Sequence, residues 1–146
     1  MTAYATRAEL YLYALSSAVL TDVGTDVQDA HLEAKSRFAD SYFCKRYGVP
    51  LASPDEAVKQ CVCALAALSL LEFRGFNPDD PNDAAVVQAA ERWLEWLKAV
   101  ATGKADLDQD DDATPSVDEA APVLETDYER GFNYNRPTAD PWDDYD

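Results

Sequence analysis

The segment from Ala57 to Leu71 constrains the fold more than any other part of the chain. Wound as a helix, it carries Ala57, Val58, Cys61, Val62, Ala64, Leu65, Leu68 and Leu71 nearly all the way round. It therefore has no broad face to give to water and must be buried centrally, within the fold or between subunits. Boundary signals frame it. Ser53-Pro54-Asp55-Glu56 combines a Ser cap, a Pro at the first helical position and a Glu three residues after the cap. Arg74-Gly75 supplies a basic last turn and a left-handed stop. The pattern predicts a helix over about 54–74. No apolar run here or elsewhere approaches the ~20 residues of a membrane span.

A central helix needs partners, and three more segments read as helical. Thr6-Arg7-Ala8-Glu9 is a capping-box pattern opening a short helix to about Leu15. After a loop over 16–25, Thr25 or Asp26 is the expected cap of a long helix ending at Gly48-Val49-Pro50. Val27, Ala30, His31, Ala34, Phe38, Tyr42 and Cys44 or Lys45 recur along it at three- and four-residue spacing and are its expected buried stripe. Asp80-Pro81-Asn82-Asp83 caps a last helix over about 81–102, with Val86, Ala90, Trp93, Leu94, Leu97 and Val100 as core positions and Thr102-Gly103 as its end. Trp96 lies about 60° off that stripe, at the core edge or facing a neighbouring subunit. No segment alternates with a period of two for long enough to make a strand. The expected fold is all-α: a small bundle of one short and three longer helices.

Charge divides the chain. Residues 1–103 hold 14 acidic and 9 basic side chains, whereas residues 104–146 hold 14 acids and only Lys104, Arg130 and Arg136. The second stretch also has four of the eight prolines and little apolar periodicity, so it builds no core of its own. The expected organisation is a helical body over 1–103 followed by an extended acidic arm over 104–146. Tyr128, Phe132, Tyr134, Trp142 and Tyr145 interrupt the acids of the arm. Solvating acidic tails carry few aromatics, while docking segments carry rigid aromatic anchors, so these five residues are the candidate partner contacts, with Trp96 on the body as a sixth.

The net charge of −16 argues against duplex nucleic acid as a direct partner, because phosphate neutralisation needs clustered Lys and Arg. It argues equally against an anionic membrane surface. The start, Met1-Thr2-Ala3-Tyr4, lacks the basic and apolar regions of a signal peptide, so a soluble protein made in a cytoplasm is expected. Catalytic chemistry has few candidates. His31 is the single histidine, which leaves dyads, triads and multi-histidine metal sites hard to build, and it reads as a packed core residue. Cys61 and Cys63 point to nearly opposite sides of a helix, so with Cys44 they read as buried reduced thiols rather than metal ligands. Asp106, Asp108, Asp110, Asp111 and Asp112 lack the glycine and closing glutamate of a calcium loop. No glycine-rich phosphate loop is present. The expectation is a protein without catalysis, cofactor or metal.

Three blocks together resemble one family. They are Tyr4-Ala5-Thr6 with Leu10, the run from Ala34 through Phe38-Ala39-Asp40-Ser41-Tyr42-Phe43-Cys44-Lys45-Arg46-Tyr47-Gly48-Val49-Pro50-Leu51, and Trp93-Leu94-Glu95-Trp96-Leu97-Lys98-Ala99-Val100-Ala101-Thr102-Gly103-Lys104 reaching Leu107. In order and spacing, over about residues 4–107, they resemble the Mu-type head-tail joining (adaptor) proteins of tailed bacteriophages. The resemblance implies a ring-forming α-helical adaptor in the virion. It would sit between the portal protein and a stopper or tail-completion protein, with DNA passing through its lumen unbound. The ring that the resemblance implies would hold roughly a dozen copies. The arm would dock on a neighbouring ring, the portal being the expected one. An alternative of another class is an acidic nucleic-acid mimic that occupies the DNA groove of a host protein. Against it, the acids concentrate in the arm instead of tiling a rigid surface.

Overall fold

A computed structural model of the chain describes residues 2–108. They form four helices and, among the described residues, no strand: α1 (Arg7–Tyr13), α2 (Thr25–Phe43), α3 (Glu56–Arg74) and α4 (Pro81–Ala101). The protein is all-α, one short helix with three longer ones, as the hydropathy pattern predicts. The acidic arm from residue 109 onward lies outside the described residues.

The apolar segment is the axis of the bundle. On α3, Val58, every residue from Cys61 to Ala67, Leu70 and Leu71 are buried, and the helix packs against α1, α2 and α4. The other helices each send large side chains to it: Leu10 from α1, Leu32 and Phe43 from α2, and Leu97 and Val100 from α4 are fully buried. Each such aliphatic or aromatic side chain is worth ~1.5–3 kcal/mol of burial, against ~0–1 kcal/mol for an exposed ion pair. Cohesion therefore comes from this core. The exposed pairs Arg7–Asp29 (2.9 Å) and Arg37–Glu33 (2.5 Å) add little.

Local chemistry fixes the helix ends. At α1 the predicted capping box forms: Thr6 Oγ1 accepts from Glu9 N, and Thr6 N donates to the Glu9 carboxylate at 2.7 Å. Glu9 also meets Lys59 at 3.0 Å, tying α1 to α3. At the other end of α3, buried Asp83 accepts from Asn77 N at 3.0 Å and lies 3.5 Å from the Arg74 guanidinium, which in turn donates to the Val19 carbonyl at 3.1 Å. One carboxylate thus joins the α3–α4 turn to the α1–α2 connection. The end of α4 is a Schellman motif: Lys104 N donates to Ala99 O at 2.8 Å, Gly103 N to Val100 O at 3.2 Å, and Gly103 has φ 79°.

Four details differ from the sequence expectation. First, α1 stops at Tyr13 rather than about Leu15. Secondly, α3 begins at Glu56 with Asp55 as its cap, accepting from Val58 N at 2.8 Å, instead of being capped by Ser53. Aspartate caps as well as serine, and here it stands next to the helix, so Pro54 precedes the cap. Thirdly, α2 is capped by Gly24 and ends at Phe43, and its buried face is Gln28, Leu32, Ser36, Ala39 and Phe43. Ala30, Ala34, Phe38, Cys44 and Lys45 of the expected stripe are exposed. The helix is rotated because its inner face carries polar residues with internal partners. Gln28 donates to Val23 O at 2.8 Å and accepts from the Tyr11 hydroxyl at 2.6 Å, while Ser36 donates to Leu32 O at 2.8 Å and accepts from Tyr4 N at 2.9 Å. Hydropathy spacing cannot place such residues inside. Fourthly, only two of the three thiols are buried: Cys61 and Cys63 lie in the core, but Cys44 is exposed.

Candidate interaction surfaces

The residues after α4 are held against the body by side chains from two other parts of the chain. Arg46 follows α2, and its guanidinium donates to Val100 O at 3.2 Å, to Ala105 O at 3.0 Å and to the Asp106 carboxylate at 2.7 Å. It also lies over the Tyr47 ring, 5.3 Å from its centroid. The Tyr47 hydroxyl accepts from Leu107 N at 3.0 Å, and Leu107 itself is buried. Asp55 has two tasks: Oδ1 caps α3, and Oδ2 accepts from Asp108 N at 3.1 Å. Arg46, Tyr47 and Asp55 thus form a clamp that fixes where the chain leaves the body. Both Arg46 and Tyr47 stand in the second block of the family resemblance. Nothing in their spacing alone marks them as partners of residues sixty positions later.

A second cluster anchors the start of the chain. The Tyr4 hydroxyl donates to the Asp40 carboxylate and accepts from Leu51 N at 2.8 Å. Burial, reinforced by Asp40, pushes the Tyr4 hydroxyl above its ordinary range, although the Leu51 amide opposes the shift. Burial also raises the Asp40 carboxyl, with the Tyr4 hydrogen bond pulling partly the other way. The two groups serve as one hydrogen-bonded unit between the N-terminal segment, α2 and the turn after it.

The bundle also leaves a groove. Although α1 and α4 both pack on α3, they do not pack on each other. The space between them is a recess of about 580 Å³, floored by Ala64 and Ala67 and walled by Tyr13 and Val19 on one side and Val86 and Trp93 on the other. A smaller recess of about 400 Å³ adjoins it, shares Gln60, Arg92 and Trp93, and reaches Trp96. Trp96 is half-buried. Its ring meets Phe43 edge-on at 6.3 Å and Trp93 at 5.3 Å, so one side packs on the core while another lines the recess.

The remaining predicted residues divide between the surface and the undescribed arm. Val86, Trp93 and Leu94, expected in the core of α4, are half-buried. His31 is also half-buried rather than central, with its ring edge-on to Phe73 at 5.8 Å. Phe73 is 60% exposed and Leu12 73% exposed, the two most open large apolar side chains among the described residues. Tyr128, Phe132, Tyr134, Trp142 and Tyr145 lie outside the described residues. Among the described residues, no group of three or more His, Cys, Asp or Glu side chains could hold a metal ion. No described helix is long and apolar enough to cross a membrane.

A helical bundle that clamps its own departing chain and keeps an open groove belongs to the class of small all-α proteins. The sequence places it more narrowly. The profile of the family described as "Bacteriophage Mu, Gp36" matches residues 4–125, most of the chain, and the protein belongs to that family. It is therefore a bacteriophage protein, and membership supports a structural or morphogenesis role. The match passes beyond Leu107, where the sequence resemblance ends, and takes in the first part of the acidic arm but none of the five arm aromatics. No curated protein matches the chain.

Proposed function

We propose that this protein is a head-tail connector of a tailed phage: a non-catalytic subunit that closes into a ring between the portal and the next neck component. Family membership across residues 4–125 carries the reading. Three physical features support it. The rigid α3-centred body suits side-by-side repetition in a closed ring. Its acidic character suits a channel through which DNA slides, since like charge repels the phosphates instead of binding them. The clamp at Arg46, Tyr47 and Asp55 gives the acidic aromatic arm a fixed point of departure. From there the arm docks on the neighbouring portal ring, with Tyr128, Phe132, Tyr134, Trp142 and Tyr145 as anchors. Because every subunit contributes one arm, weak individual contacts add through multivalency.

Quantitative mass spectrometry of purified particles, counting this chain against the portal protein, tests the role. About one copy per portal subunit is expected, and absence from finished particles would overturn it. Truncation after Asp108 tests the arm. The shortened chain is expected to fold but no longer to attach to portals, and retained attachment would remove the docking role.

A further inference from the structure

We infer that the outer face of α2 on one copy seats in the groove between α1 and α4 of an adjacent copy. The inference deepens the connector reading and rests on it for the presence of that copy. It stands the bundle upright in the ring, with its helices along the ring axis.

The outer face of α2 is apolar although nothing in the body covers it. Val27, Ala30, Ala34 and Phe38 return at three- and four-residue spacing, the pattern of a buried stripe, yet Ala30, Ala34 and Phe38 are exposed. Phe73 of α3, 60% exposed, extends the patch, with its ring edge-on to His31. Helix α2 is therefore apolar on two sides. The inner side, with Leu32, Ala39 and Phe43, is covered within the body. The outer side is a patch of the kind that a partner covers.

The patch and the groove lie on opposite sides of α3. Helix α2 packs on α1, α3 and α4 and closes the bundle on one side, while the groove is the gap between α1 and α4 on the other. A closed ring of identical subunits needs two unlike surfaces on each copy, one giving and one receiving, facing nearly opposite ways. Heights agree as well. His31 meets Phe73 and Phe43 meets Trp96, while the Cys61 thiol reaches Trp93 O at 4.0 Å and Asp83 lies 3.5 Å from Arg74. Both α2 and α4 thus run antiparallel to α3 and parallel to each other. With Phe43 level with Trp96, Ala30 is level with Asp83 and Phe38 with Glu91. The stripe from Ala30 to Tyr42 is about 18 Å long, and the joined recesses from Asn82 to Trp96 about 21 Å. Rotation about an axis along the bundle leaves heights unchanged, so the stripe of one copy meets the groove of the next in register.

Shape and charge fit this seating. Ala30 and Ala34 let α2 approach the floor of Ala64 and Ala67 closely, since the spacing of packed helices follows the side chains at the contact. Phe38 comes level with the Trp93 wall and the Arg92 guanidinium, an indole and a cation that suit its ring. The α4 rim also carries Glu91 and Glu95. Glu95 pairs with Lys98, but Glu91 has no cation partner among the described residues. Lys35 of α2 lies over the Phe38 ring at 5.6 Å and has no carboxylate partner among them. It stands on the same flank as Tyr42, whose field acts on the Lys98 ammonium of α4 within the copy. A small rotation keeps helix directions, so this flank also turns toward the α4 of the neighbour. Lys35 is then level with Gln88, one turn from Glu91.

Cross-linking of the purified full-length chain tests the seating. The chain carries Ala34→Cys on the outer face of α2, Ala85→Cys in the groove and Cys44→Ser in place of the exposed native thiol, the other two thiols being buried. Within one copy α3 separates the two new cysteines, so a short bis-maleimide can join them only between copies. A ladder of dimers, trimers and larger species is expected at high protein concentration, and none from either single-cysteine chain. Absence of a ladder from a chain shown by circular dichroism to be helical would overturn the inference. Dimers from a single-cysteine chain would also overturn it, because they mean a symmetric contact. Lys35→Glu is expected to raise the concentration at which the ladder forms by roughly threefold or more. Adding Glu91→Lys to the same chain should restore it, since each junction sets Lys35 of one copy against Glu91 of the next. No weakening, or weakening without rescue, would overturn the seating. None of these tests needs a virion, so their failure is distinguishable from failure of the particle count that tests the connector reading.

Discussion

Arg46 and Asp106 stand sixty residues apart in sequence and 2.7 Å apart in space, and the same guanidinium binds the carbonyls of Val100 and Ala105. A single side chain therefore closes the C-terminal end of α4 and turns the chain back along the body. Arg46→Ala is expected to lower stability by about 1–2 kcal/mol, the range for charge-assisted hydrogen bonds reduced for partial exposure. Urea denaturation measures this. Arg46→Lys should recover less than half, because a compact ammonium cannot reach three acceptors that suit a planar fork. Full recovery by lysine would show that only charge matters there.

Asp55 caps the central helix and also holds Asp108. Asp55→Ala is expected to cost about 1–2 kcal/mol, the usual range for loss of an N-cap. It should also speed hydrogen exchange at the amides of Val58 and Asp108 together. If Val58 alone changed, the two oxygens would not be acting as one tie.

The carboxyl of Asp40 is raised by burial, so the folded state holds its proton more tightly than the unfolded chain does. By linkage, stability falls as pH rises from the ordinary aspartate value of about 3.9 through the raised folded value, and the loss then stays constant. Asp40→Asn removes that penalty and keeps an oxygen to accept the Tyr4 hydroxyl. Its urea midpoint relative to wild type is therefore expected to be higher at pH 7 than at pH 4. Glu9 has the opposite sign. Burial works against it, but Thr6 and Lys59 hold its carboxyl below the usual range, so its contribution is present above the ordinary glutamate pKa and fades in more acid solution. A pH-independent difference between wild type and Asp40→Asn would contradict this account.

Burial, with the neighbouring thiol adding to it, pushes Cys61 up to about 12. Burial, aided by Glu9 and Glu56, does the same to Cys63. Cys44 is exposed. A thiol reagent applied to the native protein is therefore expected to modify one cysteine rapidly, and all three only after unfolding. Mass spectrometry of the labelled chain would identify Cys44 as the fast site, and fast labelling of Cys61 would mean that the core opens readily.

The body was legible wherever one kind of side chain decided the outcome. The apolar circumference from Ala57 to Leu71 marked the bundle axis, and the Thr6 box and Asp80-Pro81 marked two helix starts. The inner face of α2 was not legible, because Gln28 and Ser36 are buried by virtue of partners at Val23, Tyr11 and Tyr4, and those partners exist only in the folded chain. The clamp was hidden for the same reason: Arg46 and Tyr47 satisfy carbonyls and amides near residues 100–107. The groove follows from a missing contact between two helices, which no local pattern encodes. The arm aromatics were visible as composition alone.

The clamp also has a directional consequence. Leu107 and Asp108 are fastened to Tyr47 and Asp55 at the end of the bundle where α3 begins. In any assembly whose copies share one orientation, every departing chain emerges on the same side. Such an assembly has a front and a back even if its copies are otherwise alike, because the chain leaves every body at the same rim. A stack of two such layers can distinguish head-to-head from head-to-tail without any further recognition element.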